Sequence, residues 1–368
     1  MSERKNLAFR CVRGLLAIAI ALGVAAVFIF LSSKGGSLAE RLAATGDALV
    51  HLLVRPLVRA GGDFNTKNFT DVLAGMIPIL FTGISVCVMF SAEQFNMGAE
   101  GGTMLGAFVA GLCAVYLPMS SGLHAVVCLL AGALAVALVM LVPAILKARL
   151  GVSEMVSSLM LNYVILYAIK FVLNTFLADR SKGQTQTFPF LDGAKLPQLV
   201  DNGSRLSVGF VLALVCVALV TLFLYRTRWG YSIRMVGLNG AFAAYSGLPV
   251  TGVILLSQVL GGALAGLGGA AEMLGRYDTF SWGNLPGYGW TGITVAILAN
   301  NNPAFVPLAA FFIAYLDKGC NLMSTYCGVP AQLISILQAV IFLFFAAERF
   351  LAGFRQRLVV REAARKES

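Results

Sequence analysis

Charged residues are scarce in this chain. Only 12% of its 368 residues are Asp, Glu, Lys or Arg, while 58% are hydrophobic, and a soluble globular domain carries about 25% charged residues. The apolar residues are gathered in runs close to the roughly 20 residues that cross a bilayer. This composition excludes a water-soluble globular protein and predicts an all-α polytopic membrane protein.

Residues that support catalysis or metal binding are also few. The two histidines, His51 and His124, stand apart from each other, and no Cys or His spacing is typical of a metal site. No GxxxxGK[ST] phosphate-binding loop is present, so any ATP must bind to another subunit. We therefore expect no catalytic residue, no metal and no cofactor, and these absences disfavour an intramembrane enzyme.

The seven cysteines form no Cys-x-x-Cys pair. Most lie in or beside apolar runs and are predicted to be small buried hydrophobic residues. Cys320 and Cys327 are the exception, because they are predicted to share one polar loop. If that loop is extracytoplasmic, the two thiols have the option of forming a disulfide.

The net charge of +10 comes from basic residues at the ends of apolar runs. They are not interleaved with exposed aromatic residues, which disfavours nucleic acid as a partner, and the pattern follows the positive-inside rule. Four basic segments are therefore predicted to be cytoplasmic. They are the N-terminal tail, the pair Lys147 and Arg149, the segment 226–234 and the tail 349–368. The first apolar run is interpreted as a retained span, since it is long for a signal peptide.

About ten transmembrane helices are predicted, some of them short or broken. With both termini cytoplasmic the number of crossings must be even, which requires 290–317 to be two short helices. Residues 300–303, Asn-Asn-Asn-Pro, favour a turn at that place. The loops 32–70 and 179–207 are then predicted to lie outside. The apolar runs lie at about 12–31, 71–90, 103–118, 124–146, 158–178, 208–225, 250–274, 290–300, 303–317 and 331–348.

A polar, glycine-rich break, Phe95–Gly102, separates two of these apolar runs. A bilayer penalises exposed backbone and unpaired carboxylates, so such a break persists only inside protein, at the surface or beside a water-filled path. Asn96 and Glu100 in the break, and Asn162 in a later run, are therefore candidate pathway residues. Asn offers both donors and acceptors to a base or sugar, whereas Glu100 has the alternative role of capping a helix N-terminus.

Three aromatic residues are candidates to stack on a planar ring of a substrate. They are Phe95, Trp282 and Trp290. For the tryptophans the alternative role is anchoring at the membrane interface, where Trp is enriched. The sequence leaves both roles open.

The segment Arg226–Gly247 is a basic loop that is predicted to contain a short surface helix. Gly237, Asn239 and Gly240 suit a turn and an N-cap, residues 241–245 have helical composition, and Gly247 closes the element. Such a helix is suited to dock in a groove of a cytoplasmic partner. The alternative is a plain interhelical loop.

Several segments together resemble one family. The segment 237–247 resembles the glycine-asparagine-alanine signature of ABC importer permeases of the branched-chain amino acid and ribose-type group. In those proteins this signature is the counterpart of the EAA loop. The matching residues are Gly237, Asn239, Ala243, Ala244 and Gly247. Segment 95–101 resembles the FNIGxEGQ signature of the nucleoside and simple-sugar subset, with Gly102 in place of the usual Gln. Segment 154–163 resembles that subset's NEVISTIMLNY, and the segments 186–197 and 289–303 are also similar to it.

The resemblance extends over residues 71–348 and implies a core permease there. The segment 1–70 is then an additional span with an extracytoplasmic loop, and 349–368 is a basic cytoplasmic tail, all within one transmembrane domain. The implied protein is the permease subunit of an ATP-driven importer of the bacterial cytoplasmic (inner) membrane. Nucleosides are the first expectation for its substrate, with simple sugars or riboflavin as the alternatives.

The resemblance also implies partners and roles. They are a second permease subunit, cytoplasmic ABC ATPases that dock on residues 226–248, an extracytoplasmic substrate-binding protein or lipoprotein, and the lipid bilayer. The segment 237–247 would couple ATP hydrolysis to alternating access. An ion-coupled secondary transporter is the alternative from another class, because broken helices suit it as well.

Overall fold

The computed structural model describes residues 37–328 except 60, 121, 180–182 and 184, together with scattered positions in 23–30 and residues 336 and 339. The apolar runs 12–31 and 331–348 fall mostly outside the described residues, and the tail 349–368 does so entirely. The chain divides into two compact units. One contains residues 66–314 and the other contains 1–65 with 315–368.

The described residues are helical, and they contain no β-strand beyond two isolated bridges. Seven helical segments are long and apolar enough to cross a membrane, and one shorter apolar helix accompanies them. These eight correspond to the predicted runs between 71 and 317. The helices are α1 (Leu38–Leu53), α2 (Thr66–Ser91), α3 (Ala99–Tyr116), α4 (Leu123–Val139), α5 (Leu141–Leu150), α6 (Glu154–Val172), α7 (Gly209–Arg226), α8 (Arg228–Leu238), α9 (Gly240–Tyr245), α10 (Val250–Arg276), α11 (Tyr288–Leu298) and α12 (Val306–Cys327).

Glycines let α10 pack at the centre of the unit 66–314, against α2, α3 and α4. A Cβ atom at Gly266 would lie 2.6 Å from the carbonyl oxygen of Gly132 on α4, and one at Gly269 would meet the backbone of Thr103 on α3. Small residues allow such close backbone approach in lipid, where dispersion rather than the hydrophobic effect holds helices together. The glycine run therefore serves tight packing.

The predicted turn between α11 and α12 is confirmed. Asn300 and Asn301 have φ values of 54° and 55°, a left-handed conformation that Asn tolerates better than most residues. The predicted end near residue 317 is wrong, because α12 continues to Cys327. Polar side chains there support the helix, as in the hydrogen bond from Asn321 Nδ2 to the carbonyl oxygen of Asp317 at 2.9 Å.

Cys320 and Cys327 lie on this helix rather than on a polar loop, and both are free thiols. Residues seven apart on a helix are separated by roughly 10 Å along its axis. A disulfide needs Cα atoms within about 7 Å. The helix therefore keeps these two residues from pairing with each other.

Helix α1 was not predicted, since residues 32–70 were expected to form a loop. It begins with a capping box: Ser37 Oγ accepts from Glu40 N at 3.2 Å, and Glu40 Oε2 accepts from Ser37 N at 3.4 Å. Ser followed three residues later by Glu is the sequence signature of this motif. The signal was thus present in the sequence, and the polar composition around it concealed the helix.

Candidate functional site

The break between α2 and α3 runs through the interior of the unit 66–314. The chain leaves α2 through Glu93, which has a φ of 56°. Gln94 and Asn96 point inward and are buried, whereas Glu93 and Phe95 are exposed. The break therefore folds back into the helix bundle, which is the condition that hydrocarbon imposes on irregular backbone.

A chain of amide side chains connects the break to α10. Asn96 Nδ2 donates to Gln258 Oε1 at 2.8 Å, and Gln258 Nε2 donates to Gln94 Oε1 at 3.4 Å. Gln94 Nε2 donates in turn to the carbonyl oxygen of Ala92 at 3.1 Å. Asn96 Oδ1 accepts from Gly98 N at 2.6 Å, which also turns the backbone toward α3. We name Gln94, Asn96 and Gln258 the amide chain.

The amide chain makes a testable contribution to stability. Asn96→Ala or Gln258→Ala should each cost about 1–3 kcal/mol of unfolding free energy, because each leaves its buried partner unsatisfied. The double variant should cost less than the sum, since both partners are then absent. Thermal unfolding of the purified single and double variants in detergent measures these losses of stability. Additive losses would show that the two amides do not depend on each other.

One face of α6 holds the break from the other side. Glu154, Ser158 and Asn162 recur at a spacing of four residues and share that face. Glu154 Oε1 accepts from Phe95 N at 3.1 Å, and Ser158 Oγ accepts from Met97 N at 2.9 Å. The two sequence segments that resembled the same family thus meet in space.

Asn162 makes two hydrogen bonds to the backbone around the start of α3. Its Nδ2 donates to the carbonyl oxygen of Met97 at 3.0 Å, and its Oδ1 accepts from Gly101 N at 2.9 Å. A Cβ atom at Gly101 would lie 2.8 Å from the Cα atom of Asn162, so the glycine permits this approach. Asn162 therefore positions the break and the first turn of α3.

Glu100 caps a helix far away in sequence. Its Oε1 accepts from Gly287 N at 2.5 Å and its Oε2 accepts from Gly289 N at 2.6 Å, at the N-terminus of α11. The side chain is fully buried. A carboxylate is stabilised there by the unsatisfied N–H groups and by the helix dipole. The capping role expected for Glu100 is thus present, although the helix it caps is α11 rather than its own.

Five of the six candidates for the pathway or for stacking divide into two groups, whereas the sixth, Trp282, is half-buried with its ring 5.8 Å from that of Tyr277 and 6.1 Å from that of Tyr288. Asn96, Glu100 and Asn162 are fully buried and bonded to protein groups around the break. Phe95 and Trp290 are about half exposed, and the Phe95 ring lies 4.9 Å from that of Phe90. Only this second pair presents its side chains to the outside of the unit.

A second buried carboxylate, Glu272, was not predicted to have a role. Its Oε1 accepts from Arg276 Nη1 at 3.2 Å and from the Tyr288 hydroxyl at 3.1 Å, which joins the end of α10 to the start of α11. The spacing of Glu272 and Arg276 by four residues on a helix was a usable signal. Tyr288 was not identifiable, because it reaches Glu272 only after the chain reverses.

The connection 186–197 packs against the segment that follows α10. Thr187 N donates to the carbonyl oxygen of Phe280 at 3.1 Å, and Phe280 N donates to Thr187 Oγ1 at 3.0 Å. Lys195 Nζ lies 3.0 Å from Asp278 Oδ1 and 3.2 Å from Asp192 Oδ1. The hydrogen bonds to Asp278 and then to Asp192 raise the pKa of the Lys195 ammonium group.

The predicted surface helix is present as α9, and its caps are those expected. Asn239 Oδ1 accepts from Phe242 N at 2.9 Å at its start, and Gly247 adopts a φ of 80° after its end. A further helix, α8, precedes it and was not predicted. Thr227 caps α8 by accepting from Gly230 N at 3.1 Å, which is the N-cap chemistry of a threonine.

The pair α8 and α9 has one face on the bundle and one face exposed. Ala243 is buried, whereas Ala244 and the apolar side chains of Leu238, Phe242 and Tyr245 are exposed, Tyr245 by 94%. Several large apolar groups exposed together are typical of a protein-interaction surface. We name Phe242 and Tyr245, together with Leu238 at the end of α8, the apolar surface of α9.

Gly237 joins this helix pair to the break. A Cβ atom at Gly237 would meet the carbonyl oxygen of Ser91 and the backbone of Ala92. Ser91 ends α2 and Ala92 follows it, so α8 approaches the chain just before the break backbone to backbone. The helix pair is therefore in direct backbone contact with the residues that lead into the break.

Comparison with known proteins gives one family. Residues 68–346 match the family described as the branched-chain amino acid transport system / permease component. The chain is 33% identical to the glucose ABC transporter permease protein TsgB13 of Haloferax volcanii, over 85% of this chain and 86% of that protein. No solved structure matches the chain.

Two further relatives carry nucleoside names. The chain is 30% identical to the guanosine ABC transporter permease protein NupP of Bacillus subtilis, over 91% of this chain and 94% of NupP. It is 29% identical to the nucleoside ABC transporter permease protein NupB of Lactococcus lactis, over 78% of this chain and 81% of NupB. The similarity thus extends over more than four fifths of the length of each of these two proteins.

Proposed function

The chain belongs to the family of branched-chain amino acid transport system permease components, and from this premise we propose that it is the membrane-spanning subunit of an ATP-driven nucleoside importer. NupP and NupB, which are named for guanosine and nucleosides, support the substrate. The segments 95–101 and 154–163, which resemble the nucleoside and simple-sugar subset, support it as well. A simple sugar, as in the name of TsgB13, or riboflavin is the alternative substrate.

The observation that carries the mechanism is the contact of Gly237 with Ser91 and Ala92. This contact of α8, which leads directly into the exposed helix α9, supports a connection to the break, and hydrogen bonds connect the break to α10, α6 and α11. We propose that a cytoplasmic ABC ATPase docks on the apolar surface of α9. Closure of the ATPase would then move the break and switch the pathway between outward and inward access.

The remaining organisation follows from this role. A second permease subunit completes the pathway, and an extracytoplasmic binding protein or lipoprotein delivers the substrate. Residues 71–348 form the core permease, 1–70 an additional span with an outer segment that contains α1, and 349–368 a cytoplasmic tail. Both termini are then cytoplasmic, which agrees with the basic residues near them.

The roles of the pathway candidates are revised within this proposal. Asn96, Glu100 and Asn162 use their hydrogen-bonding groups on protein partners, so we assign them to positioning the break. Phe95 and Trp290 remain proposed substrate contacts, because their rings are exposed. Gly237, Asn239 and Gly247 shape the ATPase docking helix, and Ala243 packs it on the bundle.

An ion-coupled secondary transporter is the second candidate. The observation that favours it is α11, a short helix whose N-terminus begins inside the bundle, as in transporters with broken helices. That N-terminus is occupied by Glu100, however, and so is not open to a substrate anion. The two candidates differ in partner dependence, because a secondary transporter moves its substrate without an ATPase.

Uptake of radiolabelled nucleosides tests the function. Vesicles that contain the permease pair, the ATPase and the binding protein should accumulate nucleoside only when ATP is supplied to the ATPase. A complex whose ATPase lacks the lysine of its phosphate-binding loop is the control. If the complete complex takes up glucose or riboflavin instead, the nucleoside assignment is wrong. Uptake by the chain alone in liposomes under an ion gradient would favour the secondary transporter.

A further inference from the structure

The exposed faces of the span-length helices differ in chemistry. On α4 the exposed side chains repeat every three to four residues and are aliphatic, and on α7 the pattern is the same. Aliphatic side chains face lipid at no cost, so these two faces suit contact with lipid. The residues are Leu123, Val126, Leu130, Leu134 and Leu138 on α4, and Val211, Val215, Leu219 and Leu222 on α7.

The exposed face of α6 and its π-helical continuation, Leu173–Leu177, carries polar groups among apolar ones such as Met160, Val164 and Phe171. Tyr163 and Tyr167 are 56% and 65% exposed, and Asn174 is exposed too. Lys170 is half-buried, and its Nζ lies 6.0 Å from the centre of the Tyr167 ring. The spacing of four, three and four residues puts all of them on one helix face. We name these residues the α6 stripe.

The position of this stripe along the span excludes interfacial anchoring by Tyr167. At a rise of 1.5 Å per residue, Tyr167 lies roughly 20 Å from Glu154 and roughly 15 Å from Leu177. Tyrosines that anchor a helix lie at its ends, at the level of the lipid headgroups. A hydroxyl in the middle of the hydrocarbon has no partner, and its burial there costs several kcal/mol, about 4–8 by transfer to an alkane. The α6 stripe therefore does not suit a lipid-facing surface.

We infer that the α6 stripe lines the translocation pathway and that the rings of Tyr163 and Tyr167 bind the planar base of the nucleoside. This inference rests on the proposed function. Side chains four residues apart on a helix are neighbours, so the two rings lie next to each other along the exposed face. The hydroxyls and the amide of Asn174 supply donors and acceptors for a neutral heterocycle and its sugar.

The opposite face of the same helix connects these rings to the energy source. Glu154, Ser158 and Asn162 hold the break, which adjoins the α8 and α9 pair through Ser91 and Ala92. A displacement of the break therefore moves α6 as a unit. The two rings would move with it, which changes the side from which the substrate reaches them.

Water accessibility tests the inference in the complete complex. The background for this experiment is a chain whose native cysteines are replaced by serine or alanine and which retains uptake. In that background, a single cysteine at position 163 or 167 should react with a charged methanethiosulfonate reagent in membrane vesicles. Leu134→Cys and Leu219→Cys are the lipid-facing controls and should not react. Nucleoside should protect positions 163 and 167. Failure of both positions to react, or reaction without protection, would overturn the inference.

Transport kinetics provide the second measurement. Tyr167→Ala should raise the KM for nucleoside uptake roughly ten-fold through loss of the ring contact, whereas Tyr167→Phe should stay within about three-fold of the wild type because the ring remains. Leu219→Ala is the control for folding and should leave uptake unchanged. If the wild-type complex transports no nucleoside, the proposed function fails. If it does and Tyr167→Ala behaves like the wild type, only the present inference fails.

Discussion

Glu100→Gln should abolish most nucleoside uptake and destabilise the protein. The carboxylate accepts one N–H on each oxygen, from Gly287 and Gly289. A glutamine has a single acceptor oxygen, so its amide nitrogen would face one of these donors and leave it unsatisfied. The unsatisfied group costs about 1–3 kcal/mol. The lost charge removes up to about 2 kcal/mol more of interaction with the partly buried helix N-terminus.

Loss of uptake should follow because α11 begins at this contact. Gly289 approaches the backbone of Glu100, and Gly292 approaches Thr82 on α2. Release of the N-terminus of α11 would therefore loosen the packing of α11 against α2 and α3. Thermal unfolding of the purified complex and ATP-dependent uptake in vesicles measure the two effects. Uptake at the wild-type level in a folded Glu100→Gln complex would contradict the structural role of the carboxylate.

Two variants serve as controls for Glu100. Glu93→Gln removes a carboxylate from the same stretch of chain, but Glu93 is exposed, so this change should alter the unfolding temperature little. Glu100→Asp keeps the charge and shortens the side chain by one methylene group. It should show an intermediate loss, because the charge remains while the two hydrogen bonds lengthen. Equal effects of Glu93→Gln and Glu100→Gln would indicate a general effect of charge in this segment.

Gly237→Leu should lower uptake at least ten-fold (~1.4 kcal/mol of coupling or more) while ATP hydrolysis by the assembled complex continues. Any side chain at position 237 meets the carbonyl oxygen of Ser91 and the backbone of Ala92. Because backbone atoms cannot move aside as a flexible side chain does, α8 must shift away from the break. The apolar surface of α9 remains available to the ATPase, but its movement no longer reaches the break. ATPase and uptake assays on one preparation measure the ratio of nucleoside uptake to ATP hydrolysis.

Gly240→Ala is the matched control, because a Cβ atom there meets no heavy atom within 4 Å. It should retain the wild-type ratio of uptake to hydrolysis. Ala244→Trp tests the exposed side of α9 instead and should also uncouple hydrolysis from transport, by disturbing the docked surface. Unchanged transport in both Gly237→Leu and Ala244→Trp would refute the coupling role of this helix pair.

Local features of the fold were predictable because their causes are local in sequence. The apolar runs between 71 and 317 follow from hydropathy, and the turn at Asn300 and Asn301 follows from side chains that tolerate positive φ. The start of α9 follows from the N-cap chemistry of Asn239. Errors arose where polar residues lie within helices, as in α1 and the second half of α12, because hydropathy alone ends a helix too early.

The sequence by itself determined that this is a helical membrane protein with a polar break between two spans, and it identified Asn96, Glu100 and Asn162 as residues of special interest. Only the tertiary structure decided what these residues do. Glu100 reaches Gly287 and Gly289, and Asn96 reaches Gln258, across more than 160 positions of chain. No local pattern encodes such contacts, because they depend on which helices pack together. The same packing decided which face of α6 is buried against the break and which is left exposed.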